Sequence, residues 1–191
     1  LGSPELLARC KTAMQNIEIK AVLRDRSKVE SRLSALGARR LWTHRQRDTF
    51  FDVPSGWLKI REVEGKPPEV ISYVRSTASG APRASNYDVL LVEEAEPWKR
   101  LLGRVLSAGG AVEKERTLWI YEHTRVHLDS VGGLGEFIEL ETVVDGITQR
   151  QAAEETQRVV AALGVESKDL ISVPYKELLS GSEGRSKEPA G

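Results

Sequence analysis

The chain has 191 residues, with 28 Lys+Arg against 28 Asp+Glu and a formal net charge of zero. That length suits one domain with a sizeable core. The charge balance argues against a general nucleic-acid or membrane-surface binder, which carries a basic excess, and no apolar run approaches the ~20 residues that span a bilayer.

The opening Leu1-Gly2-Ser3-Pro4-Glu5 is similar to the remnant of a cleaved tag, so residues 1–14 are set aside as remnant and N-terminal extension. Residues 15–23 alternate polar and aliphatic side chains and predict a first strand. Asp25 to Leu36 predicts a helix with Val29, Leu33 and Leu36 at helical spacing, stopped by Gly37. Strands follow over Trp42–Phe51, Trp57–Val63, Val70–Arg75 and Arg83–Val92, separated by turns rich in Gly, Pro and Ser and by a loop over Thr77–Pro82. Pro97 to Ala108 predicts a second helix with Trp98, Leu101, Leu102 and Val105 on one face, ended by Gly109-Gly110. Val112–Tyr121 and Thr124–Asp129 predict a hairpin. Gly132-Gly133-Leu134-Gly135 reads as a turn, because it precedes a strand and lacks the helix N-terminus of a phosphate loop. Glu136–Val144 is the last strand, and Gln149–Leu163 a helix stopped by Gly164. A short helix covers Tyr175–Leu179, the domain runs over residues 15–180, and residues 181–191 read as a disordered tail.

Direct joins between about eight strands imply an antiparallel sheet, which can close into a barrel. The class is α+β. The pattern alone leaves two packings open. Aliphatic faces pointing inward give a filled barrel, whereas aliphatic faces covered by helices leave the charged faces lining a tunnel.

The charged faces are the informative feature. Residues two apart on a strand share a face. Lys59 pairs with Arg61, Tyr73 with Arg75, and Lys114 with Arg116, while Arg125, His127 and Asp129 share another face. Like charges on neighbouring strands repel, and a bound polyanion relieves that repulsion. Glu18, Glu139 and Glu141 offer hard oxygen donors of the kind that hold Mg²⁺ beside phosphate oxygens. Simple pairing of these acids with neighbouring bases is the plainer alternative. One cysteine, Cys10, permits no intrachain disulfide and fits an intracellular, cytoplasmic protein. With it and only His44, His123 and His127, zinc is not expected.

Five segments in order resemble the CYTH superfamily, the group of class IV adenylyl cyclases and thiamine triphosphatases. Asn16-Ile17-Glu18-Ile19-Lys20 is similar to its E-x-E-x-K strand, and Arg47-Asp48-Thr49-Phe50-Phe51-Asp52 to its D-T-Y-[FY]-D segment. Trp57–Glu62 resembles the L-[RK]-[IL]-R strand. Residues 125–129 and 137–141 resemble the R-x-x-x-D and E-x-E strands. The resemblance implies a closed eight-stranded antiparallel β tunnel with helices packed outside and charges pointing in. It implies a small triphosphate held by Lys20, Lys59, Arg61, Arg75, Lys114, Arg116 and Arg125, with Lys176 near one mouth. It implies Mg²⁺ or Mn²⁺ on Glu18, Glu139 and Glu141, with Asp129 nearby. Catalysis is expected from Glu18, Lys20, Glu139 and Glu141. Asn16 departs from the pattern by standing where the first Glu belongs.

The expected activity is metal-dependent hydrolysis of a triphosphate: inorganic triphosphate, thiamine triphosphate or a nucleoside triphosphate. One alternative is cyclisation of ATP to cyclic AMP and pyrophosphate. Another is binding of polyphosphate or nucleotide without turnover, which the uncharged Asn16 encourages. Hydrolysis is favoured because no purine-reading motif stands out. No nucleic acid or membrane partner is expected, and the chain is read as a monomer or homodimer.

Overall fold

The first and last strands of the chain pair with each other, and that pairing closes the sheet. The computed structural model describes residues 10–75 and 83–185, with side chains over 15–74 and 84–180. Its strands are β1 (Cys10–Val22), β2 (Arg39–Phe51), β3 (Trp57–Val63), β4 (Glu69–Arg75), β5 (Arg83–Leu91), β6 (Ala108–Tyr121), β7 (Thr124–Val131) and β8 (Gly135–Val143). They form a closed barrel in the order β1-β5-β4-β3-β2-β6-β7-β8, with β8 returning to β1. Every pairing is antiparallel. Four helices complete the fold: α1 (Arg26–Ala35), α2 (Ala95–Gly103), α3 (Gln149–Leu163) and α4 (Tyr175–Arg185). Among the described residues, no helix is long and apolar enough to cross a membrane.

The helices decide which strand faces turn outward. Ala21 on β1, Val126 and Leu128 on β7, and Ile138 and Leu140 on β8 pack against Val29 and Leu33 of α1 and Val159 and Leu163 of α3. Ile60 on β3 and Phe51 on β2 pack under α2 with Ala95, Trp98 and Leu102. With the aliphatic side of each strand committed to a helix, two-residue alternation drives the charged side inward. The tunnel packing is therefore the one adopted.

Local signals set the helix ends. The Asp25 side chain accepts from the Lys28 amide at 3.0 Å and caps α1. Thr148 and Gln151 form a reciprocal capping box at α3, which ends on Gly164 at φ 69°. Glu155 of α3 is 4% exposed and ties the helix to the β7 end of the barrel. It accepts from the Thr124 hydroxyl at 2.6 Å and from the His123 amide at 3.0 Å. Glu155→Ala leaves these donors short of a partner, at an expected cost of about 1–3 kcal/mol. Denaturant unfolding checks this, and a loss below ~0.5 kcal/mol would show that α3 is held by its apolar face alone.

Three boundaries differ from expectation by about five residues or more. β1 starts at Cys10, within the stretch set aside as an extension, because Cys10 and Lys11 find partners in Leu90 and Val89 of β5. The second helix ends at Gly103 instead of Ala108, and Gly109 and Gly110 lie inside β6. Glycine is a poor helix former, and the apolar period runs on past the end of the helix. Val105, left beyond the helix, stands 73% exposed. α4 continues to Arg185, past Gly181, since extending a docked first turn costs little. The expected loop over Thr77–Pro82 and the last part of the tail lie outside the described residues.

Candidate active site

Among the described side chains, seven of the eight strands put charged groups into one lumen of about 250 Å³, among them Glu18 and Lys20, Asp48, Lys59 and Arg61, Lys114, Arg125, and Glu139 and Glu141. Strand register places them. Glu18 lies opposite Glu141 and Lys20 opposite Glu139 across β1–β8. Arg125 lies opposite Glu141 and His127 opposite Glu139 across β7–β8. Arg116 lies opposite Asp129 across β6–β7, and Asp48 opposite Arg61 across β2–β3.

Two aspartates organise the basic residues. Asp48 accepts from Lys59 Nζ at 2.8 Å, from Arg61 Nε at 2.9 Å and Nη2 at 3.2 Å, and from Gln46 at 3.1 Å. Asp129, fully buried, accepts both arms of the Arg116 fork at 2.6 Å, Lys114 at 3.0 Å and the Tyr175 hydroxyl at 3.1 Å. Arg116 also reaches Glu139 at 2.6 Å, and Lys20 lies 3.4 Å from the other Glu139 oxygen. Burial opposes ionisation of Asp48, but Arg61 and Lys59 hold its carboxyl well below the usual range. Burial likewise opposes ionisation of Glu139, and Lys20, Arg116 and Lys114 overcome it. The Lys59 ammonium is pushed down to about 7, by burial first and by Arg61 second, against the pull of Asp48.

A candidate metal-binding group lies on β7 and β8. His127, Glu139 and Glu141 each offer a ligand atom, all within 4.8 Å of one another. Burial, aided by Arg116, lowers His127 to about 4, so its ring is neutral near pH 7. Its Nδ1 is buried without a hydrogen-bond partner, 4.0 Å from Glu141. A neutral imidazole nitrogen in that state, beside two carboxylates, fits a divalent cation.

The start of α4 forms part of the lumen wall. Tyr175, the first residue of α4, packs on Phe137 with ring centroids 4.9 Å apart, under Phe50, Val112 and Val131. Lys20 Nζ sits 4.1 Å from the centre of the Tyr175 ring. Lys176 points elsewhere, onto Asp52 at 2.6 Å.

The structure thus brings Glu18, Lys20, Lys59, Arg61, Lys114, Arg116, Arg125, Asp129, Glu139 and Glu141 to a single interior. Asp129, expected beside the metal, has its oxygens occupied by Arg116, Lys114 and Tyr175. The Arg75 side chain lies outside the described residues, although its backbone pairs with Ser85. Asn16 lines the lumen and accepts from the Tyr87 hydroxyl at 3.4 Å. Sequence reasoning gave no role to Asp48, His127 or Tyr175. The alternation that places Arg125 and Asp129 inward places His127 with them, so that signal was present. No local pattern marks Tyr175 as a lining residue, because its partners come from distant strands.

A closed barrel of this build, with acids and bases interleaved on its inner wall, defines the tunnel class of α+β domains. The CYTH domain profile matches residues 14–175, and the chain belongs to the CYTH family. It is 24% identical over 174 residues to "Putative adenylate cyclase MJ0240" of Methanocaldococcus jannaschii, covering 86% of this chain and 98% of that protein. The PH1012 protein of Pyrococcus horikoshii superposes with a TM-score of 0.76 at 20% identity, covering 85% of this chain and 98% of that one. HpAC1 of Hippeastrum, described with a dominant triphosphatase activity, superposes at 0.59 with 17% identity over 87% of this chain and 96% of its own.

Proposed function

We propose that this protein is a divalent-metal-dependent hydrolase of small triphosphate-containing molecules. The carrying observation is the grouping of His127, Glu139 and Glu141 in the same lumen as Lys59, Arg61, Lys114, Arg116 and Arg125. CYTH membership and the triphosphatase activity described for HpAC1 support the reading.

Charge balance supports a metal requirement. Among the described side chains, Lys20, Lys59, Arg61, Lys114, Arg116 and Arg125 are matched by Glu18, Asp48, Glu69, Asp129, Glu139 and Glu141. Among these described side chains alone, acids cancel bases, and a triphosphate needs further positive charge to be attracted. A divalent ion on Glu139, Glu141 and His127, with Glu18 alongside, supplies the missing charge and lowers the pKa of a bound water. Two carboxylates and an imidazole nitrogen suit Mn²⁺ better than Mg²⁺, which prefers oxygen donors.

The chain's own groups do the positioning. Arg125 presents a planar fork to phosphate oxygens, and Lys20, Lys59 and Lys114 act as point charges, while the Arg116 fork stays on Asp129 and Glu139. Asp48 and Asp129 hold these cations in place before substrate arrives, so little reorganisation remains at the moment of reaction. Asp129 serves as a positioning residue, its oxygens being filled by protein donors.

The test is product analysis after incubation with inorganic triphosphate and with ATP, each with Mn²⁺, with Mg²⁺ and with excess EDTA. Release of phosphate that needs the metal is expected, with Mn²⁺ ahead of Mg²⁺. Undiminished turnover in EDTA would overturn the metal role. Cyclic AMP with pyrophosphate as the main products from ATP would replace hydrolysis by cyclisation.

A further inference from the structure

The lumen wall is not charged all the way round. Across β4–β5 three successive inward-facing rungs pair Tyr73 with Tyr87, Ile71 with Val89, and Glu69 with Leu91. Five of these six side chains are apolar or aromatic. On one flank the charged wall resumes at β3, where Lys59 lies opposite Ile71. On the other flank, across β1–β5, Met14 lies opposite Tyr87, Lys11 opposite Val89, and Asn16 opposite Ser85 just beyond the strip. Val89, Leu91 and Tyr87 remain half-buried, so the strip borders the cavity, on the side away from most of its charged residues. The Tyr73 ring is backed by Trp57, nearly parallel at 6.1 Å between centroids, which fixes its plane.

A bare triphosphate chain gains nothing from such a strip. All its outward atoms are charged oxygens, and setting them against Ile71, Val89 and Leu91 removes water without giving hydrogen bonds in return. An uncharged ring gains on both counts, covering apolar surface and meeting tyrosine faces. Small-ligand sites commonly combine an apolar wall with a few polar anchors. We infer that the β4–β5 strip receives the uncharged, planar organic group of an organic triphosphate ester. Its phosphates then lie against the cationic wall of β3, β6 and β7. The preferred substrate class is the ester rather than inorganic triphosphate. This inference rests on the triphosphate reading above, and it assigns Ile71, Val89 and Leu91 to specificity rather than to chemistry.

The experiment compares KM for ATP and for inorganic triphosphate, with Mn²⁺, in the native protein and in Leu91→Ala and Val89→Thr. Any product of turnover is counted, so hydrolysis and cyclisation serve equally. The native protein is expected to show a KM for ATP at least about tenfold below that for inorganic triphosphate, the scale of one or two apolar contacts in a pocket. Each substitution is expected to shrink that ratio severalfold. Val89→Thr is nearly isosteric and keeps the test alive should Leu91→Ala fold poorly. A native ratio near one, or a ratio that neither variant changes, overturns the assignment of the strip while leaving triphosphate turnover standing. Absence of turnover and binding with both compounds overturns the triphosphate reading itself, and this inference with it.

Discussion

Replacing Asp129 by asparagine is expected to cost about 3–5 kcal/mol of folding stability, the scale for breaking one side of a buried ion pair. Asp129 is fully buried and is the only carboxylate within reach of Lys114 Nζ in the ion pairs of the described residues. Asparagine keeps the shape but loses the charge, and one of its two acceptor positions becomes a donor. The Arg116 fork would then meet an N–H where it met an oxygen, and Lys114 would be left as a buried cation. Glu139 compensates in part, because it already accepts from Arg116 at 2.6 Å. It does not reach Lys114 within an ion-pair distance. Domains of this size carry roughly 5–15 kcal/mol in all, so the loss takes a large share of the total. A fall in thermal midpoint of about 10 °C is the expected reading, from ~2–4 °C per kcal/mol for a chain of this length. A shift under ~3 °C in metal-free protein would show that Asp129 does not anchor the basic cluster.

The residues of the barrel wall were legible because strand alternation is a local property. Glu18, Lys59, Arg61, Arg125, Glu139 and Glu141 each stand two residues from another polar group, and the aliphatic residues between them are of the kind that helices cover. The direction of the charged face was not legible from alternation alone. It is set by Val29, Leu33, Val159 and Leu163, whose docking on the sheet is a tertiary contact that strand alternation does not encode. The same limit explains Asp129. Its place on the inner face follows from its spacing to Arg125, but its partners Lys114, Arg116 and Tyr175 come from β6 and α4. An aspartate beside two glutamates looks like a third ligand until register shows an arginine fork filling both its oxygens. His127 is the converse case. A lone histidine on a strand carries little meaning in sequence, and it acquires one from the orphaned Nδ1 next to Glu139 and Glu141. The apolar strip on β4–β5 escaped notice because attention to charged pairs passes over Ile71, Val89 and Leu91 as ordinary core. The closed barrel turns these three toward the cavity instead.

Glu141→Gln is expected to reverse the balance seen at Asp129, sparing the fold and disabling the chemistry. The two carboxylates of the donor group differ in how the protein uses them. Glu139 is tied to Arg116 at 2.6 Å and to Lys20 at 3.4 Å, so its loss would mix structural and functional effects. Among the described residues Glu141 makes one long ion pair, 4.0 Å to Arg125, and lies 4.0 Å from the neutral His127 ring, and its side chain is 19% exposed. Neutralising it removes weak attractions and also removes its repulsion with Glu139, which leaves a folding change of under about 1 kcal/mol. At the proposed metal the change is larger. An anionic oxygen donor becomes a neutral amide, and the cation loses charge compensation beside a polyanionic substrate. Turnover with Mn²⁺ is expected to fall by about 10²–10³, the scale of losing one preorganised electrostatic group. The thermal midpoint without metal should stay within a few degrees of the native value. The increment added by saturating Mn²⁺ should shrink, because a tenfold loss of affinity removes ~1.4 kcal/mol of linked stabilisation. Native turnover together with a native Mn²⁺ increment would remove Glu141 from the metal site. A large drop in the metal-free midpoint would instead make Glu141 a structural acid like Asp129. Measuring rate and both midpoints on one preparation separates the two roles, since only a metal ligand lowers turnover and the Mn²⁺ increment while leaving the metal-free fold intact.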